Sequence, residues 1–356
     1  MDFGIAIPTA ADSWRLVRRA EELGFTHAWF FDTQMLSADP FVAMAAAAMQ
    51  TTRIKLCTGV LIPSNRIAPV AATALASLNK LAPGRIVFGI STGFTGRRTM
   101  GHGAVKLADM EQYINTVQAL WRGETVDFTM EGKTRPIRLL NPDLGLINTT
   151  DPIPLFVAAS GPRARALTAK LGAGWIDNLA DAQRGAPTME QMRATWVQAG
   201  NASDTLTAVA WLSGAVLEEG EPVDGPRGMA LAGPRAATLL HRAADTALAD
   251  HPAPLSMRPE FAAQVAAYVE HARSFRPQGA YYLQNHRGHL MFVRPDERPF
   301  ITADMLCNTS FIGTLRDLLP RFEMLRDAGF HQAVLSIPPG QEHAIEDWGR
   351  ILRAMG

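Results

Sequence analysis

Residues 53–93 constrain the fold of this chain more than any other stretch. Arg53-Ile-Lys-Leu-Cys-Thr58 is a short β-branched and apolar run that ends in Gly59-Val-Leu-Ile-Pro63. A helical pattern follows over Ala68–Leu81 and closes at Ala82-Pro-Gly84. A second apolar run, Arg85-Ile-Val-Phe88, then breaks into Gly89-Ile-Ser-Thr-Gly93. The order is strand, small-residue bend, helix, strand, small-residue bend. Small residues at the carboxyl ends of successive parallel strands let a flat ligand lie against bare backbone.

The same alternation runs through most of the 356 residues. Strands are expected at 3–7, 25–31, 154–159, Gly174–Asn178, 207–212 and 332–337, with helices at Trp14–Leu23, 39–50, Leu107–Trp121, 163–171 and Leu315–Ala328. An internal echo supports the division. Glu21-Glu-Leu-Gly-Phe-Thr-His-Ala-Trp-Phe30 and Arg326-Asp-Ala-Gly-Phe-His-Gln-Ala-Val-Leu335 share one shape: helix end, glycine, aromatic, apolar strand. Glycine suits that corner because the helix ends in a left-handed residue before turning onto the sheet. About eight strand–helix pairs give a (β/α)8 TIM barrel, an α/β fold, with insertions after strands 4 and 7. An open doubly wound sheet fits less well, since no G-x-G-x-x-G follows the first strand. The chain reads as a single domain over 1–356. A polar excursion with a hairpin is expected at 125–150, and residues 215–309 read as an insertion over the barrel mouth.

Composition excludes several classes. The chain is 47% hydrophobic, and Lys+Arg and Asp+Glu both number 34. A net charge of zero gives no bulk attraction to nucleic acid or membrane. No window approaches ~20 uninterrupted apolar residues, and strand-like residues begin at Phe3, so neither a membrane span nor a leader is expected. Cys57 and Cys307 sit in apolar, strand-like surroundings and read as buried free thiols. The expected location is the cytoplasm.

In such a barrel chemistry belongs at the carboxyl ends of the strands. Ser160-Gly-Pro-Arg163 is the best anion site there. It ends a strand and opens a helix, so free N–H groups and the helix dipole would face a phosphate, with Arg163 adding charge. Joined to the bends at Gly59 and Gly93, it reads as the phosphate corner of a flavin seat. His102, His286 and His289 do not stand at metal-ligand spacing with any carboxylate, so no metal is expected.

Thr58-Gly-Val-Leu-Ile-Pro63, Gly89-Ile-Ser-Thr-Gly93, Ala159-Ser-Gly-Pro-Arg163 and the final Gly313-Thr314 helix start resemble the luciferase-like flavin oxidoreductases. That family includes FMN-dependent monooxygenases and deazaflavin-dependent dehydrogenases and reductases. The resemblance covers nearly the whole chain outside 215–309. It implies a barrel holding FMN or the deazaflavin coenzyme F420, with Gly59-Val60 forming a non-prolyl cis peptide behind the ring. It further implies that Ala159, Ser160, Gly161, Pro162 and Arg163 hold the cofactor phosphate, that Thr58, Thr92, Gly93 and Arg97 line the cofactor, and that Asn178 lies nearby.

Asp32, Thr33, Phe94 and His102 are the residues expected nearest the chemistry. Sugar-phosphate dehydrogenases of the family have histidine after the strand-two aspartate and glutamate after the strand-four glycine; here Thr33 and Phe94 stand instead. Hydride abstraction from an alcohol needs a base, so both departures argue against that activity. Phe94 better suits shielding a reduced ring from water. The preferred expectation is therefore an FMN-dependent monooxygenase on a small organic substrate, supplied with reduced flavin by a separate reductase. A deazaflavin-dependent reductase or dehydrogenase and a non-catalytic flavin-binding protein are the alternatives. A homodimer is expected by analogy, with the apolar helix around residues 45–49 as a face.

Overall fold

The structure is a computed structural model and describes residues 1–249 and 258–356. The part of the expected insertion at 250–257 lies outside the described residues. Eight strands, β1 (Asp2–Ile7), β2 (His27–Phe30), β3 (Lys55–Thr58), β4 (Ile86–Ile90), β5 (Leu155–Ala158), β6 (Gly174–Asn178), β7 (Ala208–Leu212) and β8 (Gln332–Ser336), close into one barrel. Every neighbouring pair is parallel, and β8 returns beside β1 with Ile5 opposite Leu335.

Period-two alternation sorts the strand side chains into two layers. Ala6, Trp29, Cys57, Val87, Ile176, Val209, Trp211 and Val334 pack together inside the barrel. Ile5, Phe30, Leu56 and Phe88 point outward and join the larger core beneath the helices. The inside is filled rather than hollow. The Trp29 ring meets Trp211 and Phe156 edge-on, each at a centroid distance of 5.8 Å. Truncating a buried tryptophan such as Trp29 would cost about 3–5 kcal/mol.

The repeated helix-to-strand corner is built as the echo predicts. Gly24 and Gly329 adopt φ of 95° and 101°. The next residues, Phe25 and Phe330, are buried and donate their N–H groups to Ala20 and Leu325. The helix Leu315–Ala328 starts with a capping box in which Thr314 and Asp317 satisfy each other's backbone N–H. Helix Pro40–Ala48 is capped by Asp39, whose Oδ1 accepts from Phe41 and Val42.

Chain beyond the basic pattern enters after β4 and after β7. The first excursion includes an antiparallel hairpin, Val126–Met130 with Lys133–Ile137. The second leaves through Gly214–Leu217 and returns through Phe311–Thr314, two short strands that pair in parallel. Between them lie helices Pro226–Leu231, Gly233–Leu248, Ala262–Arg273 and Ala303–Thr309. Residues 281–300, within the expected insertion, hold the short helix Tyr282–Asn285 and a 3-10 turn at Arg298–Phe300. Cys57 is buried in β3 as expected, whereas Cys307 is exposed on a helix. Its apolar neighbours Met305 and Leu306 turn inward at helical spacing, which leaves the thiol outside. Among the described residues no helix is long and apolar enough to cross a membrane.

Candidate functional site

At the carboxyl rim of β3 the Gly59–Val60 peptide is cis. Val60 reaches the inner cluster, and both residues remain partly exposed at the mouth. Thr58 faces the sheet instead. Its Oγ1 donates to the Gly89 carbonyl (2.7 Å) and accepts from the Gly89 N–H (2.9 Å), which fastens β3 to β4. The glycines of these two bends serve the chain's own packing. A Cβ on Gly59 would stand 2.8 Å from Trp29 Cβ, and one on Gly89 would stand 2.1 Å from the Thr58 carbonyl oxygen. Gly93 has φ of +77°, and a Cβ there would meet Ile62 at 2.4 Å.

The third corner is different. Ser160, Gly161, Pro162 and Arg163 are exposed, and a Cβ on Gly161 would meet nothing within 4 Å. Pro162 opens helix Pro162–Lys170, and no side chain caps it. The first helical bond runs from Arg165 N–H to the Gly161 carbonyl, so the N–H groups of Arg163 and Ala164 are left for a ligand or water. Ala159 is buried, with its carbonyl accepting from Trp175 Nε1 at 2.8 Å. Asn178 ends β6 next to this corner and is exposed. Ser91 and Thr92 lie partly exposed at the end of β4, where Ser91 Oγ donates to the Ala158 carbonyl. These residues fit a phosphorylated planar group: the helix start offers donors and open space, and the cis corner offers half-exposed backbone.

The residues expected to carry chemistry take other parts. Asp32 is buried with both oxygens engaged, Oδ2 by Ile62 N–H (3.1 Å) and Oδ1 by Arg66 Nη1 (2.9 Å). Arg66 also pairs with Asp39. Asp32 thus fastens the β3 loop. Thr33 hydrogen-bonds Ser37 within its own turn at 2.8 Å. Phe94 lies beneath two guanidinium groups, Arg98 at 5.2 Å and Arg242 at 4.7 Å from its centroid. Because Arg242 belongs to the second excursion, Phe94 joins the β4 loop to that segment. Arg97 donates to the Gly103 carbonyl, bracing the loop from within, and His102 is exposed on it.

Beside Phe94 lies a buried polar cluster that the sequence reading did not assemble. His241 and Asp245 come from helix Gly233–Leu248, while Asn285, His286, His289, Arg294 and Glu297 come from the segment after residue 281. His241 Nδ1 stands 2.7 Å from His289 Nδ1, and His286 Nδ1 stands 3.4 Å from the same atom. On their outer sides His241 Nε2 meets Glu297, His286 Nε2 meets Asp245 Oδ1 (3.2 Å), and His289 Nε2 meets Thr95 Oγ1 (3.4 Å). Arg294 Nη1 pairs with Glu297 at 2.8 Å, and Tyr268 OH donates to Asn285 at 3.0 Å. Burial holds His241 and His289 well below the usual histidine range. It pushes Glu297 up to about 7, against the pull of Arg294. Arg98 Nε and Asp245 Oδ2 lie 3.9 Å apart, and neither has a hydrogen-bond partner among the described residues. His241 and Asp245 stand four residues apart, the spacing that places two side chains on one helix face. Only the recognition of a helix there was missing.

The comparisons bear on the family and the barrel fold. The sequence model of the luciferase-like monooxygenase family matches residues 4–223. An F420-dependent glucose-6-phosphate dehydrogenase of Beutenbergia cavernae is 39% identical over 140 residues, 37% of this chain and 40% of that protein. An F420-dependent hydroxymycolic acid dehydrogenase of Mycobacterium tuberculosis is 31% identical over 176 residues, 46% of this chain and 47% of that protein. The matches thus span less than half of those relatives' own length. The solved coenzyme F420-dependent tetrahydromethanopterin reductase of Methanopyrus kandleri superimposes over 100% of this chain and 99% of its own, with a TM-score of 0.70 at 18% identity. With that match over residues 4–223 and a closed eight-stranded parallel barrel beneath it, the chain belongs to the luciferase-like monooxygenase family.

Proposed function

We propose that this protein is an oxidoreductase that binds a deazaflavin coenzyme and moves a hydride between it and a small organic substrate. This replaces the FMN-dependent monooxygenase preferred on sequence. The observation that carries the reading is the rim itself: a cis Gly59–Val60 corner and an open helix start at Gly161 on one barrel mouth. The relatives at 39% and 31% identity, both F420-dependent by name, favour deazaflavin over FMN.

The bound deazaflavin would supply hydride chemistry and no oxygen chemistry. Within this chain the N–H groups of Arg163 and Ala164 hold its phosphate, with the Arg163 guanidinium beside them. Val60 backs the ring, and Ser91, Thr92 and Asn178 offer polar contacts at the rim. Leu290, from the second excursion, packs on the inner cluster and helps exclude water from the mouth. Asp32 is committed to Arg66 and Ile62, and Thr33 and Phe94 carry no titratable group, so a sugar phosphate is not the substrate we assign. A homodimer through the outer faces of helices Pro40–Ala48 and Ala68–Leu81 completes the reading.

Titration of the purified protein with deazaflavin and with FMN, followed by visible absorbance and fluorescence, tests it. Deazaflavin is expected to bind at least tenfold more tightly. Gly161→Trp is expected to weaken that binding by about tenfold or more without lowering thermal stability, because the added side chain fills open space. Tighter binding of FMN would return the assignment to a monooxygenase fed by a separate reductase, and undiminished affinity in the variant would remove the phosphate corner.

A further inference from the structure

We propose that His241, His286 and His289 form a binding site for one divalent first-row transition metal, of the zinc type, that fastens the segment between β7 and β8 to the barrel. One nitrogen from each histidine lies within 4.8 Å of the other two, and all three residues are buried. The set lies outside residues 4–223, so the family match does not account for it.

The orientation of the rings is the argument. Two Nδ1–Nδ1 separations of 2.7 and 3.4 Å meet at His289, so the Nδ1 atoms turn toward one point. Each Nε2 turns outward to an oxygen: Glu297 for His241, Asp245 for His286 and Thr95 for His289. A metal-bound histidine characteristically donates its second N–H to a carboxylate or another oxygen, which fixes the tautomer and presents the opposite lone pair. Here two such partners are buried carboxylates. Zn–N bonds of about 2.0–2.1 Å in a tetrahedral site set nitrogens about 3.3 Å apart. The His286–His289 pair already stands at that distance, and the His241–His289 pair needs to open by roughly half an ångström. With no ion bound, a proton on His289 Nδ1 would close the 2.7 Å contact; on binding, His289 would take the tautomer protonated at Nε2 and donate to Thr95 Oγ1. Imidazole ligands with no oxygen bound directly to the ion favour zinc, cobalt, nickel or copper over magnesium or calcium.

The location gives the site its role. His241 belongs to one helix of the segment and His286 and His289 to a later turn, so one ion would tie two distant parts of it together. Thr95 follows Phe94 in the short helix Phe94–Arg98 after β4 and carries the tie to the barrel rim.

Cobalt(II) is the probe. The full chain is stripped with chelator in mild denaturant, refolded with one equivalent of cobalt, and read by elemental analysis and by its visible ligand-field bands. One equivalent with tetrahedral bands is expected, with zinc displacing it. His289→Gln and His286→Asn are expected to lose the bands and to bind at least a hundredfold more weakly. Circular dichroism verifies that the variants are folded, and if they are not, the wild-type titration decides alone. Failure of the wild type to take up cobalt or zinc stoichiometrically, or identical bands in folded variants, would overturn the proposal and leave the trio as a hydrogen-bonded core. Cofactor affinity is not the readout, so failure here and failure of the deazaflavin reading are separable.

Discussion

The glycines at the barrel rim divide by what their missing Cβ would touch. Gly89→Ala places a methyl 2.1 Å from the Thr58 carbonyl oxygen and breaks the Thr58 staple between β3 and β4. We expect a loss of at least 3 kcal/mol or failure to fold, measured by denaturant unfolding. Survival with stability unchanged would show that the two strands can part there. Asp177 tests a different kind of residue. Burial raises its carboxyl from 3.8 to about 6 against the favourable charges of Arg165 and Arg184. The folded protein therefore holds this proton more tightly than the unfolded chain. The contribution is full below about pH 4 and is lost as pH rises through about 6. In Asp177→Asn, the melting temperature minus that of the wild type should climb between those values and stay level above pH 7. A difference independent of pH would mean that Asp177 ionises normally.

At the scale of elements, Phe94 stacked beneath Arg98 and Arg242 joins the segment after β4 to helix Gly233–Leu248, as does the approach of Arg98 to Asp245. Each such stacking contact contributes about 0.5–2 kcal/mol. Phe94→Leu, which loses the contact with Arg242, should therefore raise amide exchange in helix Gly233–Leu248 by about 2- to 30-fold, with the barrel strands unchanged. Unchanged protection of that helix would place the attachment elsewhere. The same elements show what sequence could and could not disclose. The barrel strands announce themselves through apolar runs closed by glycine, and the helix ends at Gly24 and Gly329 through the repeated Gly-Phe pair. The paired strands Gly214–Leu217 and Phe311–Thr314 are nearly all buried and show no alternation, so no period marks them. Of the nine residues that helix Gly233–Leu248 buries, four are alanine and Leu240 is the one large hydrophobe, and the helix starts with glycine and proline. With that helix unseen, His241 could not be joined to His286 and His289. Asp32 and Phe94 were legible as positions at strand ends. Their partners Arg66 and Arg242 lie 34 and 148 residues away in sequence, beyond any local pattern.

For the whole molecule, four exposed apolar residues lie on or beside two helices that pack against each other. Val42, Met49, Ile67 and Val70 are 61%, 68%, 46% and 50% exposed, on or beside helices Pro40–Ala48 and Ala68–Leu81. Apolar side chains grouped on a surface of this kind suit contact with a second copy. Light scattering should give twice the chain mass for the wild type and a single mass for the double variant Val42→Glu, Val70→Glu. A monomeric wild type would remove the dimer from the reading. Finally, the roughly hundred residues between β7 and helix Leu315–Ala328 depart and come back through two strands lying side by side. Both attachment points are therefore fixed relative to each other by backbone bonding, whatever hangs between them. Exchanging everything between those two strands would keep the same pair of anchor points on the eight-stranded barrel while giving up the contacts of Arg242 with Phe94 and of Leu290 with the inner cluster.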